Sequence, residues 1–175
     1  PYRRQRQMCI RDRCEGQIDV IACHEAGISF AVAPLGTAFT PEHARILSRY
    51  ASRIVLCFDA DKAGMVAADR AFRELAPFGK DIYLVNLPAG DDPDSFMKRE
   101  GKEAFSGMVE RARSFFEVRI ERARESGLLD DAASSAAFAR EMTALLACMS
   151  DPVARDLATA DVATRMRLSL IHISE

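Results

Sequence analysis

The chain has 175 residues, 49% of them apolar and 29% charged, with 24 Lys and Arg against 26 Asp and Glu. That length and balance suit one domain, or one domain with a helical annex, and exclude a disordered polymer, a collagen-like repeat and a small disulfide scaffold. No apolar run approaches the roughly 18 residues of a membrane span, and the formal charge of −2 looks uninformative about partners.

Residues 1–13, PYRRQRQMCIRDR, hold five Arg and one Asp, whereas the last eight, LSLIHISE, hold a single Glu. The first string has neither the apolar centre of a secretory signal nor the amphipathic period of a transit peptide. Both strings resemble translated sequencing-adapter read-through; a native basic arm and a native terminal strand are the alternative. Setting the two ends aside leaves −5 on residues 14–167, so the working core is acidic. Cys9, Cys14, Cys23, Cys57 and Cys148 contain no CxxC pair. They are expected to be small buried hydrophobes of a reduced, cytoplasmic protein and not a zinc site.

Residues 14–100 alternate short apolar runs with helical patterns. A strand is expected before Glu15, where the adapter-like segment stands, as if the natural chain were cut there. Ile18–Ala26 reads as a helix stopped by Gly27. Phe30–Ala33, Ile54–Phe58 and Ile82–Leu87 are continuous apolar runs, as for strands covered on both faces. Thr40 and Pro41 are an N-cap and N1 pair. Ala63–Phe78 places Met65, Ala68, Phe72 and Leu75 at helical spacing and ends near Pro77 and Gly79. Strands alternating with helices predict βαβ units and a parallel sheet.

Residues 101–167 show no strand pattern. Phe105, Met108, Val109, Ala112, Phe116, Ile120 and Ala123 fall on one helical face that Gly127 stops. A second helix buries Phe138, Met142, Leu145, Leu146 and Met149, and Asp151-Pro152 opens a third. The interleaved charges of Lys98–Arg124 predict a solvated, salt-bridged face and not a nucleic-acid patch.

Three acidic groupings stand at strand and helix ends. Asp59 and Asp61 close the run IVLCFDAD, and in an extended strand residues i and i+2 point the same way. Glu15 and Asp19 open the first helix, and Asp92 and Asp94 lie in LPAGDDPDSF. Each has a plain structural explanation: Asp61 and Asp92 suit N-caps, and Asp19 complements a helix dipole. Together, at the carboxyl edge of parallel strands where ligands bind, they predict a site for hard divalent cations, Mg²⁺ or Mn²⁺. Gly64 in the first turn of a helix costs about 1 kcal/mol against Ala, which suits a close approach of a loop or a phosphate. Gly36, beside Thr37, is open to the same reading.

The strings EGQIDVIACHEAGI, APLGTAFTPEHARIL, VLCFDADKAGMVAADRA and LPAGDDPDSFMKREG, in order over residues 14–103, resemble the TOPRIM module of bacterial DnaG-type DNA primase. The helical tail to Arg167 resembles the end of that enzyme's polymerase core. The resemblance implies an α/β fold, a TOPRIM-type parallel sheet sandwiched by helices over 14–100, followed by an all-α helical subdomain over 101–167. Residues 1–13 and 168–175 are expected to be non-native. It implies that Glu15 is a metal ligand or proton acceptor, that Asp59 and Asp61 are metal ligands, and that Asp19, Asp92 and Asp94 are further ligands or their supports. Gly16, Gly64 and Gly36 would shape the loops, and Thr37 and Lys62 would contact substrate. Ala60 departs from the family, which often has Gly there.

The reaction implied is attack of a 3′-hydroxyl on the α-phosphorus of a ribonucleoside triphosphate, with loss of pyrophosphate. An RNA primer grows on a single-stranded DNA template at the cytoplasmic replication fork. The zinc module, the basic half of the core and the region that engages the replicative helicase are expected to lie outside this chain, leaving a fragment that binds metal but does not prime. Another TOPRIM enzyme, such as a nuclease or recombination protein, or a docking module without catalysis, is the alternative. A topoisomerase is disfavoured because Tyr50 and Tyr83 are expected in sheet-packing contexts.

Overall fold

The computed structural model describes residues 9–10, 16–25, 27–34, 39–59, 61–88 and 91–167. They fall into two compact units that part between Arg113 and Ser114.

In the first unit the elements run β1 (Cys9–Ile10), α1 (Gly16–Glu25), α2 (Pro41–Tyr50), β2 (Arg53–Leu56) and α3 (Lys62–Leu75). A 3₁₀ turn (Ala76–Phe78), β3 (Asp81–Leu84), α4 (Pro93–Glu100) and α5 (Lys102–Glu110) follow. β1 pairs in parallel with β2, Cys9 opposite Val55 and Ile10 opposite Leu56. β2 pairs in parallel with β3 from Arg53 opposite Asp81 to Leu56 opposite Leu84. The strand order is β1-β2-β3-β4, where β4 (Arg113–Ser114) spans the junction of the units. The strand expected before Glu15 is thus present, built from Cys9 and Ile10.

β2 is apolar throughout its inner part because both of its faces are covered. Val55 and Cys57 share a core with Cys23, Ile28, Val85, Leu87, Phe96, Phe105 and Val109. Strand alternation turns Ile54 and Leu56, both fully buried, to the other face. α2 and α3 pack together and bury Ala44, Leu47, Ala68, Ala71, Phe72 and Leu75. Each large side chain so enclosed contributes about 1.5–3 kcal/mol.

The helix starts follow the local chemistry. Thr40 caps α2 with Pro41 in the first position, and its hydroxyl accepts from His43 N–H at 3.3 Å. Gly27 at φ +84° closes α1, a backbone state other residues rarely adopt. The helix expected through Phe78 ends at Leu75 and tightens into the 3₁₀ turn.

Several expectations need correction. Phe30–Ala33 is not a strand: Phe30 lies in a turn and residues 31–34 have no regular structure. The segment is held instead by Ala31 N–H to Ile28 O at 3.2 Å and by His24 Nε2–H to Ala31 O at 3.0 Å. Its apolar residues mark burial alone, because Ile28 and Ala31 enter the core without a ladder. The first compact unit runs on to Arg113, because Phe105 and Val109 of α5 join the sheet core. Tyr50 is 59% exposed and does not pack on the sheet; Tyr83 is half-buried against that core. Cys23 and Cys57 are buried as expected, Cys148 is only half-buried, and the side chains of Cys9 and Cys14 lie outside the described residues.

The second unit contains α6 (Phe115–Glu125), α7 (Ala132–Leu146) and α8 (Pro152–Met166), with α8 packed on both others. Its interior holds Phe115, Val118, Ile120, Phe138, Met142, Leu145 and Val162. The single helix expected from Phe105 to Ala123 is interrupted, because Ser114 starts a new one by accepting from Glu117 N–H at 3.2 Å. Asp131 and Asp151 cap α7 and α8. Arg165 pairs with Glu117 on the surface, whereas Arg119 reaches Glu141 from a largely buried position over the Phe138 ring.

Candidate active site at the carboxyl edge of the sheet

β2 leaves its ladder at Leu56, and Cys57 and Phe58 continue buried before the half-buried Asp59. Asp61 is the N-cap of α3, and Gly64 N–H donates to its Oδ1 at 2.6 Å. The two carboxylates therefore do not project from one continuous strand: β2 ends before Asp59, and Asp61 has turned to serve the helix. What links them is Gly64. A Cβ placed there would lie 2.2 Å from the Asp59 carbonyl oxygen, so the first turn of α3 rests directly on the Asp59 backbone. The close approach expected for this glycine is real, and the neighbour is the loop.

The adjoining edge of β3 continues with Val85 N–H donating to Leu56 O at 2.9 Å. Asp92 caps α4: its Oδ1 accepts from Ser95 N–H at 2.7 Å, and Ser95 Oγ accepts from Asp92 N–H at 3.0 Å. Pro93 fills the first helical position. Asp94 pairs with Lys98 at 2.6 Å. The capping roles open to Asp61 and Asp92 are thus the ones they take.

Glu15, Gly36 and Thr37 lie outside the described residues, as does the side chain of Asp19; Gly16 is the first residue of α1. Lys62 is exposed at the start of α3. Among the described residues no group of three or more His, Cys, Asp or Glu is arranged to hold a metal. The donor chemistry still suits a hard cation. Asp61 spends Oδ1 on the cap, and a carboxylate has two oxygens with about four acceptor directions.

Sequence reasoning passed over Asp91. It is the buried charged residue among those described, and its oxygens receive both terminal nitrogens of Arg99, at 2.6 and 2.5 Å. The Arg99 hydrogen bonds hold the Asp91 carboxyl below the usual carboxylate range, and the same bonds raise Arg99. The signal was a third Asp in GDDPD with an Arg eight residues on, a separation beyond the three or four residues over which helical side chains meet.

A Toprim-like family profile matches residues 13–97, and a profile described as the DnaB-helicase binding domain of primase matches residues 116–170. The second match corrects the expectation that the sequence assigned to helicase binding lies wholly outside this chain. The chain is 42% identical over 143 residues to a DNA primase of Clostridium acetobutylicum, covering 82% of the chain and 24% of that relative. Among solved structures, the zinc-binding and RNA polymerase domains of the Aquifex aeolicus primase are similar at TM-score 0.77 and 30% identity. That match covers 96% of this chain and 39% of the other. A DnaG primase catalytic domain bound to ssDNA is similar at TM-score 0.73 and 27% identity, over 92% of this chain and 51% of that one. The chain spans about a quarter of the length of the curated relative it matches. A Toprim-like α/β unit with a capped acidic strand edge, followed by a helical unit that matches primase in its turn, places the chain in the DnaG-type DNA primase family.

Proposed function

We propose that this chain is part of a DNA primase, which joins ribonucleoside triphosphates into a short RNA primer on single-stranded DNA. The observation that carries the reading is the acidic carboxyl edge of β2, where the Asp59 backbone and the Asp61 carboxylate both abut Gly64. The similar primase catalytic domain bound to ssDNA supports the template class.

Glu15, Asp59 and Asp61 are the proposed ligands for Mg²⁺ or Mn²⁺, with Asp19, Asp92 and Asp94 as further ligands or supports. Such ions offset charge on a transferring phosphate and make an attacking hydroxyl a better nucleophile. The protein's own part is positional. Glu15 accepts the proton of the 3′-hydroxyl in this scheme. The start of α3, where Lys62 is exposed, favours phosphate charge through its oriented N–H groups, and Thr37 is a further proposed contact. Zinc has no proposed place in this chain. With −5 on residues 14–167 the core offers little to neutralise a DNA backbone, so the chain is proposed to bind metal without priming alone.

Mn²⁺ titration of the whole chain tests this. Binding should vanish when Asp59→Asn and Asp61→Asn are combined, and unchanged affinity would overturn the metal reading. Primer synthesis by the wild-type chain alone would overturn the proposed dependence on the rest of the enzyme. Plasmid nicking with Mn²⁺ would instead favour a Toprim nuclease. The profile match over residues 116–170 favours a second role for α6–α8, contact with a replicative helicase at the cytoplasmic fork. Among the described residues no helix is long and apolar enough to cross a membrane.

A further inference from the structure

Asp91 is 8% exposed, directly precedes the N-cap of α4, and is used by no feature of the proposed chemistry. Its carboxylate meets Arg99 fork to fork, the geometry that adds directional constraint to charge attraction. Arg99 is fixed from two further sides: its Nε–H donates to Glu100 at 2.8 Å, and its guanidinium lies 5.7 Å from the centre of the Phe96 ring. Phe96 belongs to the buried core beside Val85 and Leu87. The Asp91 N–H donates to Pro88 O at 3.1 Å, so the residue also holds the chain that arrives from β3.

The start of α4 has its own local devices, the Asp92–Ser95 capping box and Pro93. Those decide where the helix begins. They do not decide where that beginning sits relative to the sheet. The Asp91–Arg99 pair ties the segment ahead of α4 directly to the last turn of α4, eight residues on, and Arg99 lies over Phe96, the α4 side chain that enters the sheet core. We infer that Asp91 and Arg99 are positioning residues for the acidic edge, a staple that sets where Asp92 and Asp94 are presented. The inference rests on the proposed metal reading of that edge.

The test compares the whole chain as wild type, Asp91→Asn, Asp91→Glu and Arg99→Lys by Mn²⁺ titration and by amide hydrogen exchange. Asp91→Asn keeps the cap but loses the charged fork. It should bind Mn²⁺ about tenfold more weakly, as for other groups that orient metal ligands, with faster exchange at residues 91–95. Arg99 is half exposed, so Arg99→Lys should fold normally while losing the two-pronged contact, and should show a smaller loss in the same direction. Asp91→Glu should recover most of the affinity. Faster exchange at 91–95 with Mn²⁺ affinity within twofold of wild type would make the pair merely structural and overturn the inference alone. Unchanged exchange in Asp91→Asn would overturn it too. Wild-type chain that takes up no Mn²⁺ would overturn the metal reading and the inference with it.

Discussion

Replacing Gly64 with Ala separates two accounts of that residue that make opposite predictions. As an ordinary helix position, Gly→Ala stabilises by about 1 kcal/mol. In this structure the new methyl would stand 2.2 Å from the Asp59 carbonyl oxygen and 3.0 Å from its carbonyl carbon and nitrogen. Ordinary contact needs more than 1 Å of additional separation, and the obstructing atoms are backbone, so no side-chain rotation relieves them. Overpacking of this kind costs about 1–3 kcal/mol and occasionally more. If the first turn of α3 moves away instead, the Asp61–Gly64 hydrogen bond at 2.6 Å is strained, and a lost N-cap costs about 1 kcal/mol. The 2.2 Å approach to backbone puts the overpacking cost at the upper end of that range, so after the helix-propensity gain of about 1 kcal/mol the net expectation is a loss of about 2 kcal/mol, or a fall in Tm on the order of 10 °C for a unit of this size. The chain has no Trp, and Tyr2, Tyr50 and Tyr83 all precede residue 114. Tyrosine fluorescence therefore reports unfolding of the sheet unit without a signal from α6–α8. Mn²⁺ affinity should fall as well, because the displaced atoms are those of Asp59. A Gly64→Ala Tm equal to or above wild type would refute the reasoning, since it would mean that the Asp59 loop yields at no cost.

Phe105→Ala should destabilise the sheet unit by about 3–5 kcal/mol. Phe105 is fully buried among sheet-core residues, and an unchanged tyrosine transition would return α5 to the helical unit. Acid should remove part of the stability through Asp91. Its native pKa is depressed, chiefly by the Arg99 hydrogen bonds, so the contribution is present above the unfolded value of about 3.9 and is lost as pH falls through the native one. Urea unfolding across pH 2–6 should show a shallower acid decline for Asp91→Asn, and parallel curves would contradict the staple. Leu157 and Val153, 68% and 66% exposed on α8, lie four residues apart. Leu157→Glu should leave Tm nearly unchanged, within about 0.5 kcal/mol, and weaken binding to a replicative helicase at least tenfold. Undiminished binding would move the proposed contact off this face.

Much of the framework is legible without coordinates because its causes are local. Thr40-Pro41, Asp92-Pro93 and Asp151-Pro152 set helix starts through atoms within four residues of each other, and the structure has all three. The buried run of β2 announces itself because both faces of that strand are covered. Gly64 was conspicuous for a related reason, being a poor helix former inside a first turn.

Tertiary structure decided the rest, and the reasons are physical. An apolar run says that a segment is buried but not how its backbone is bonded, so Phe30–Ala33 looked like a strand and is an irregular segment held by a turn and by His24. Helical spacing across residues 105–123 says nothing of Ser114, whose cap restarts the helix, or of Phe105 and Val109, whose burial carries α5 into the sheet unit. The pairing of Asp91 with Arg99 spans eight residues, beyond the three or four over which helical side chains meet, so local spacing does not announce it. By itself the sequence determined the family, the parallel sheet and the acidic composition of its edge. Only the fold gave each carboxylate its role, with Asp61 and Asp92 as caps, Asp94 in an ion pair and Asp91 in the staple. Those roles depend on which backbone N–H or guanidinium lies within about 3 Å.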